Sequence, residues 1–384
     1  MIAVCEPQCS GFAHESFNAG FLLALQKKYP TKKIIFYGEQ THIDAIQYCF
    51  IETGHSWTNI EFRPIFLVSI GSNYFDYILN RRFFKKILIE LRQRDIKKLI
   101  LLSVHTTSLI AIKRLRATEF TEFSFSLFLH GVVEYASKPT WHLLGALFYW
   151  CIGRPRNWVW LHSFRYAMQF FGNTGMTYVA MSPFAAVRIK KIRAFKKLQI
   201  ESIHLPIIFN QNSCIFQQET LTLAVIGSRD INNLACFFKK LYALERNNLF
   251  VFNMTAYSLP FVNEHFIQAK NKLLTRREIN LIMSNVDILI LMHGKNTYQH
   301  AQSGSFFEFL QYNKPLIALK NEHFEFYNSV AKPFMLSCKS VDDIIQIVEQ
   351  ALNKKNRSLF FSLKENIQEL RCVLENESYV HIIN

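Results

Sequence analysis

The sequence predicts an α/β protein of two Rossmann-like domains, each a parallel sheet wound with helices, facing one another across a deep cleft. Three observations point there. Short apolar runs alternate with longer amphipathic stretches, the pattern of strands followed by helices. The alternation starts at the N-terminus and starts again after residue 205. At 384 residues, half of them apolar, the chain is too long for one ordinary core and can bury two.

In the first half, strands are expected near residues 2–5, 33–37, 60–66, 99–104, 124–129 and 178–181, with helices at 18–28, 83–93 and 185–197. Residues 203–209, interrupted by Pro206, read as the crossing into the second half. There the strands fall near 221–226, 250–253, 286–291, 316–319 and 334–337, with helices at 234–244, 341–352 and 363–374. The expected division is 1–205, 206–360, and a C-terminal helix and tail over 361–384. Open α/β sheets bind ligands outside the carboxyl ends of their strands, so the loops there hold the candidate residues.

Charge is unevenly spread. The net charge is +15, yet residues 1–205 carry 26 basic and 13 acidic side chains, while residues 206–384 carry 18 and 16. A basic half calls for a polyanionic surface or substrate. Its cations gather at 81–86, 92–98 and 188–197, interleaved with apolar residues at near-helical spacing. Residues 139–153 carry no Asp, Glu, Lys or Arg and end at Arg154 and Arg156. A bilayer span takes about 20 residues, so this run reads as a core or interfacial helix. Residues 1–6 read as a first strand, not a basic leader. The eight cysteines are scattered with no CxxC pair, as in a reducing compartment. Together these features predict a cytoplasmic protein, peripheral on the inner face of the cell membrane and docked on anionic lipid. No nucleic-acid motif is recognisable, so nucleic acid is not an expected partner.

Two loops carry the chemistry. In the second half, Ser303, Gly304 and Ser305 open a short helix whose free amides and positive dipole end suit a phosphate. Glu308, one turn in, can accept hydrogen bonds from two ribose hydroxyls. The same Ser305-x-x-Glu308 spacing also reads as a capping box needing no ligand. Asn313 fits a left-handed helix end, and Pro315 prevents continuation. In the first half, His14 and Glu15 sit in the loop after the first strand, and His105 and His130 each follow a strand directly. An imidazole titrating near neutrality can take a proton from a hydroxyl. A structural histidine is the plainer reading of His105.

Over residues 279–319 the sequence resembles the GT-B glycosyltransferases, in particular the bacterial branch with a Glu-x7-Glu signature, as in Glu308 followed by Pro315 and an apolar strand. The first glutamate of that signature falls on His300. The resemblance implies a nucleotide-sugar donor whose ribose meets Glu308 and whose diphosphate meets Ser303, Gly304 and Ser305, with His300 nearby. It places Arg229, after Gly227 and Ser228, at the diphosphate, and it gives His14, Glu15 and His130 to the sugar and the base. No Asp-x-Asp occurs, which argues against metal-held diphosphate, so no metal or cofactor is expected beyond the donor itself. The implied acceptor is lipid-linked or a glycan precursor of a surface polysaccharide. Two alternatives share the fold: a sugar-nucleotide epimerase, and a non-catalytic subunit of a polysaccharide assembly.

Overall fold

The computed structural model describes residues 1–70, 74–130, 133, 164–165, 167–168, 172–206, 208, 222–226, 230–242, 248–252, 268–269, 275–295, 297–352 and 357–376. The expected helix over 139–153 and the Gly227-Ser228-Arg229 turn lie outside them.

The first sheet contains β1 (Ile2–Cys5), β2 (Ile34–Gly38), β3 (Ile60–Pro64), β4 (Lys98–Leu101), β5 (Ser124–Leu129), β6 (Met176–Ala180) and β7 (Ile200–Ser202). Its order is β3-β2-β1-β4-β5-β6-β7, and every pairing is parallel. The connecting helices are α1 (Glu15–Lys28), α2 (Gln40–Glu52), α3 (Tyr74–Gln93), α4 (Thr106–Thr118) and α5 (Pro183–Lys191). The second sheet contains β8 (Thr222–Ile226), β9 (Asn248–Phe252), β10 (Gln268–Ala269), β11 (Ile288–Leu291), β12 (Leu316–Leu319) and β13 (Met335–Cys338). Its order is β10-β9-β8-β11-β12-β13, again parallel. Around it lie α6 (Ile231–Tyr242), α7 (Arg276–Ser284), α8 (Gly304–Leu310), α9 (Glu322–Asn328), α10 (Val341–Leu352) and α11 (Arg357–Asn376).

Both sheets reverse strand order beside their first strand, between β1 and β4 and between β8 and β11. That reversal opens a crevice at the carboxyl edge, where doubly wound sheets take ligands. Strand periodicity distributes the core. Val4 packs into the cluster shared by both halves, while Ala3 and Cys5 pack on the far face of the first sheet. Leu289 and Leu291 join the shared cluster, while Ile288 and Ile290 pack beneath α6 and α10. The shared cluster runs without a break from Phe17 and Phe21 to Phe306 and Phe307, so the halves are welded by apolar contact.

The departures from expectation are local. β7 falls at 200–202, between the expected helix and the crossing, and it is only three residues long. The closing helix starts at Arg357 and so straddles the expected boundary at residue 361. Among the described residues, no helix is long and apolar enough to cross a membrane. No disulfide joins any of the six described cysteines.

Candidate active site

The loop after β1 is a built structure. Glu6 directly follows the strand and is fully buried. Its Oε1 accepts hydrogen bonds from the Gln8 amide (3.0 Å) and from the Ser103 hydroxyl beyond β4. Further on, the Gly11 amide donates to Thr41 Oγ1 (2.9 Å), and His42 Nδ1 lies 2.8 Å from the Gly11 carbonyl. His42 Nε2 lies 2.7 Å from Asn18 Nδ2. An amide nitrogen can only donate and a carbonyl only accept, so His42 carries its proton on Nδ1. Two bonds from the start of α2 thus fix the loop at Gly11, and a third holds α1 at Asn18.

His14 ends that loop at φ 59°, a left-handed conformation that costs a non-glycine residue about 1–2 kcal/mol. Its side chain makes no capping bond to α1. The ring instead meets His130, centroid to centroid at 5.2 Å and nearly edge-on. Water reaches His14, yet protein surrounds it closely enough that desolvation lowers its pKa, with the nearby Glu6 pulling the other way. Glu6 is raised above the usual carboxylate range by burial, against its hydrogen bonds from Ser103 and Gln8. Burial thus opposes the charged form of both groups, while each favours the charge of the other.

His130 closes β5. Burial, with His14 a lesser cause, pushes its pKa down to about 3 despite a hydrogen bond to the Leu102 carbonyl. Its Nε2 is buried with no hydrogen-bond partner, so the carbonyl is met by Nδ1. The ring is therefore a neutral acceptor, aimed where His14 and Phe17 pack against it. His105 opens α4 beyond β4, and burial takes it down to about 4. Because β1, β4 and β5 are neighbours in the sheet, Glu6, His14, Ser103, His105 and His130 share one carboxyl edge.

Glu15 does not serve His14. Its carboxylate is held by Arg276, the first residue of α7 in the second half, at 2.6 Å from Nη2 and 3.2 Å from Nε. Both residues are buried. Arg276 Nη1 also donates to the Tyr312 hydroxyl (3.1 Å), which donates to Asn280 Oδ1 (2.8 Å). The expected role of Glu15 as base or orienter gives way to an ion pair between the halves.

On the second half, the loop after β11 runs to α8. Asn321 clasps it, donating from Nδ2 to the carbonyls of Gly294 (2.9 Å) and Thr297 (3.0 Å) while its Oδ1 caps α9. Ser303 is buried and caps α8, accepting from the Phe306 amide at 3.2 Å. Since the helix begins at Gly304, Ser305 and Glu308 stand inside it, which rules out the capping-box reading of that pair. Gly304 is exposed, and a Cβ placed on it would meet nothing within 4 Å, so the helix opens into free space. Asn313 takes the expected left-handed turn at φ 51°. The side chains of Ser305 and Glu308, like Arg229, lie outside what is described. His300 is half-buried in the loop. Gln299 beside it accepts from Arg188 of α5, and Gln302 donates to the Tyr327 hydroxyl (3.1 Å), which also meets His204 Nδ1 at 3.0 Å. Both glutamines thus tie this loop to the junction, where Phe184 of α5 packs on His323 at 5.8 Å.

Sequence reasoning found the three edge histidines and missed Glu6, Ser103 and Arg276. Glu6 left a signal, an acid directly after a wholly apolar strand. Arg276 left none, since only the folded chain brings it to Glu15.

These buried imidazoles predict an acid-labile fold. His323, with both ring nitrogens unbonded, sits near 3, His130 near 3 and His105 near 4, against about 6.5 in an unfolded chain. Between those values the unfolded chain binds protons that the folded one refuses, so stability is full above pH 6.5 and falls as pH drops towards 4. The expected slope is about 1.4 kcal/mol per pH unit for each such histidine. Melting temperatures at pH 7.5 and 5.5 check this, and His323→Leu should flatten the curve. An unchanged slope in that variant excludes His323 as a contributor.

No family model matches the sequence, and no curated protein does. Solved structures match it over nearly its whole length. The catalytic domain of starch synthase IV from Arabidopsis thaliana, bound to ADP and acarbose, superposes with a TM-score of 0.59 at 11% identity, covering 98% of this chain and 99% of that one. The Anabaena protein HepE in complex with UDP-glucose gives 0.58 at 10% identity, covering 100% and 97%. A glycosyltransferase from Rickettsia africae gives 0.57 at 13% identity, covering 100% and 95%. At such identities the likeness is one of fold, and the fold is that of the GT-B glycosyltransferases.

Proposed function

We propose that this chain is a metal-independent glycosyltransferase that moves a sugar from a nucleotide-sugar donor to a lipid-linked or glycan acceptor. It would work at the cytoplasmic face of an anionic membrane, in the assembly of a surface polysaccharide. The observation that carries the reading is His14, held in a left-handed turn on the carboxyl edge of the first sheet with its ring against His130. A loop pinned by two hydrogen bonds to α2 to present one unbonded imidazole favours proton transfer over a packing role. A sugar-nucleotide epimerase would have no need of the basic, apolar surface on the first half.

In this reading the acceptor hydroxyl lies against His14. The imidazole takes its proton as the oxygen attacks the anomeric carbon, and the bond from that carbon to the diphosphate oxygen breaks. The nucleoside diphosphate leaves with the charge, which the amides of Gly304 and Ser305 and the Arg229 guanidinium stabilise. His130 accepts a hydrogen bond from a sugar hydroxyl or from His14. Glu308 receives the ribose hydroxyls, with His300 at the mouth of the same helix. A single displacement of this kind inverts the anomeric centre.

Thermal shifts against UDP-, GDP-, CMP- and dTDP-sugars identify the donor. Glu308→Ala is expected to weaken that donor by about 10–100-fold, the worth of one or two hydrogen bonds to a charged acceptor, while the fold melts cooperatively. Unchanged donor affinity in the variant removes Glu308 from the site.

A further inference from the structure

We infer that Phe66, Leu67 and Ile70 of the loop after β3, with Tyr74, Phe75 and Leu79 of α3, form an apolar anchor that inserts into an anionic lipid surface beside the active site. The inference deepens the transferase reading and rests on it for the acceptor alone. Isolated apolar side chains on a surface need no explanation, whereas six large ones in one short stretch do. Phe66 is 91% exposed, Tyr74 74% and Phe75 66%.

Their exposure is enforced. Val68 is buried, and its amide donates to the Pro7 carbonyl at 2.9 Å, so the loop is tied down in the middle while its neighbours point outwards. The fully buried Asn80 clasps the loop from α3: its Oδ1 accepts from the Ser69 amide (2.9 Å), and its Nδ2 donates to the Ser69 carbonyl (2.8 Å) and Thr107 Oγ1 (3.0 Å). Asp76, the one acid between residues 66 and 86, is buried and bound to the Ser69 hydroxyl. Nothing anionic therefore faces outwards from this stretch.

The patch continues into positive charge. Phe75, Leu79, Arg82 and Lys86 are exposed at helical spacing along one stripe of α3. Arg81 and Lys85 pair with Glu119, whereas Arg82 and Lys86 form no ion pair among the described residues. An aromatic end followed by free cations matches hydrocarbon beneath a layer of anionic headgroups. The place fits too. Strands in a parallel sheet run the same way, so the loop after β3 emerges at the edge that carries His14. Two strand spacings, about 10 Å, separate β3 from β1 in the sheet.

Flotation of the full chain with vesicles of phosphatidylglycerol in phosphatidylcholine, and with phosphatidylcholine alone, tests this. Wild type is expected to float with the anionic vesicles. Phe66→Ser combined with Phe75→Ser should lower the bound fraction at least tenfold, and Arg82→Ser with Lys86→Ser should abolish the preference for phosphatidylglycerol. Donor-induced thermal shifts should stay at the wild-type value in both variants, which also shows that they fold. The anchor is overturned if wild type does not float, or if the aromatic variant floats equally well. It is also overturned if sedimentation shows a dimer that the aromatic variant dissolves, since a second copy then covers the patch. Vesicle binding without any donor response upholds the anchor and defeats the transferase reading; donor response without vesicle binding does the reverse.

Discussion

Exchanging His14 for asparagine is expected to lower sugar transfer by about 10²–10⁴-fold, the usual worth of a general base, with melting temperature and donor affinity near wild type. Asparagine is the informative choice. It tolerates the left-handed backbone that His14 adopts at φ 59°, so the loop need not move. His14 makes no capping bond, so α1 loses nothing. The amide that replaces the ring cannot take up a proton. Turnover is measured with the donor found in the thermal-shift panel, and retention of most of the activity ends the assignment. The pH profile supplies an independent reading. Since desolvation lowers the His14 pKa, the acid limb should lie below the ordinary histidine value of about 6.5. Glu6 raises the His14 pKa, so Glu6→Gln should carry the limb still lower. A merely structural Glu6 would change kcat or stability and leave the limb where it is.

The fold was largely legible in the sequence because parallel strands buried on both faces are short, mostly apolar and separated by helices. The runs at Ile2–Cys5, Ser124–Leu129 and Leu316–Leu319 stand out for that reason. Edge elements were less legible. β7 is three residues with Glu201 in the middle, and β10 only two, too few for any periodicity to register. The start of α3 was hidden by its own surface, where Tyr74, Phe75 and Leu79 break the usual amphipathic pattern by facing water. Site residues divide in the same way. His130, the residue directly after β5, announces itself by position. Glu15 looked like a partner of its neighbour His14, but its carboxylate is held by Arg276. Its true partner is 261 residues further along the chain. Contacts of that range follow from how two sheets pack, which local sequence does not encode.

That long-range pair carries the other large effect. Arg276→Ala is expected to destabilise the protein by about 3–5 kcal/mol, because it leaves the Glu15 carboxylate buried, charged and unpaired. The same substitution also strips a donor from the Tyr312 hydroxyl, which itself donates to Asn280 Oδ1. Glu15→Leu alone should also be destabilising, because it removes the counter-ion of the buried guanidinium while leaving its bond to Tyr312. Combining Glu15→Leu with Arg276→Met should recover most of either loss, since desolvating two charges offsets much of what their attraction gains. Chemical denaturation of the four proteins gives the coupling energy directly. Additive losses would mean that the residues do not act on each other. The location adds a second readout. The pair bridges α1 of the first half and α7 of the second, next to the loop that holds His14. Breaking it should therefore separate one cooperative melt into two, while the doubly substituted chain keeps one. The apolar cluster shared by the halves favours a single transition, so a split curve measures how much of their union depends on this ion pair.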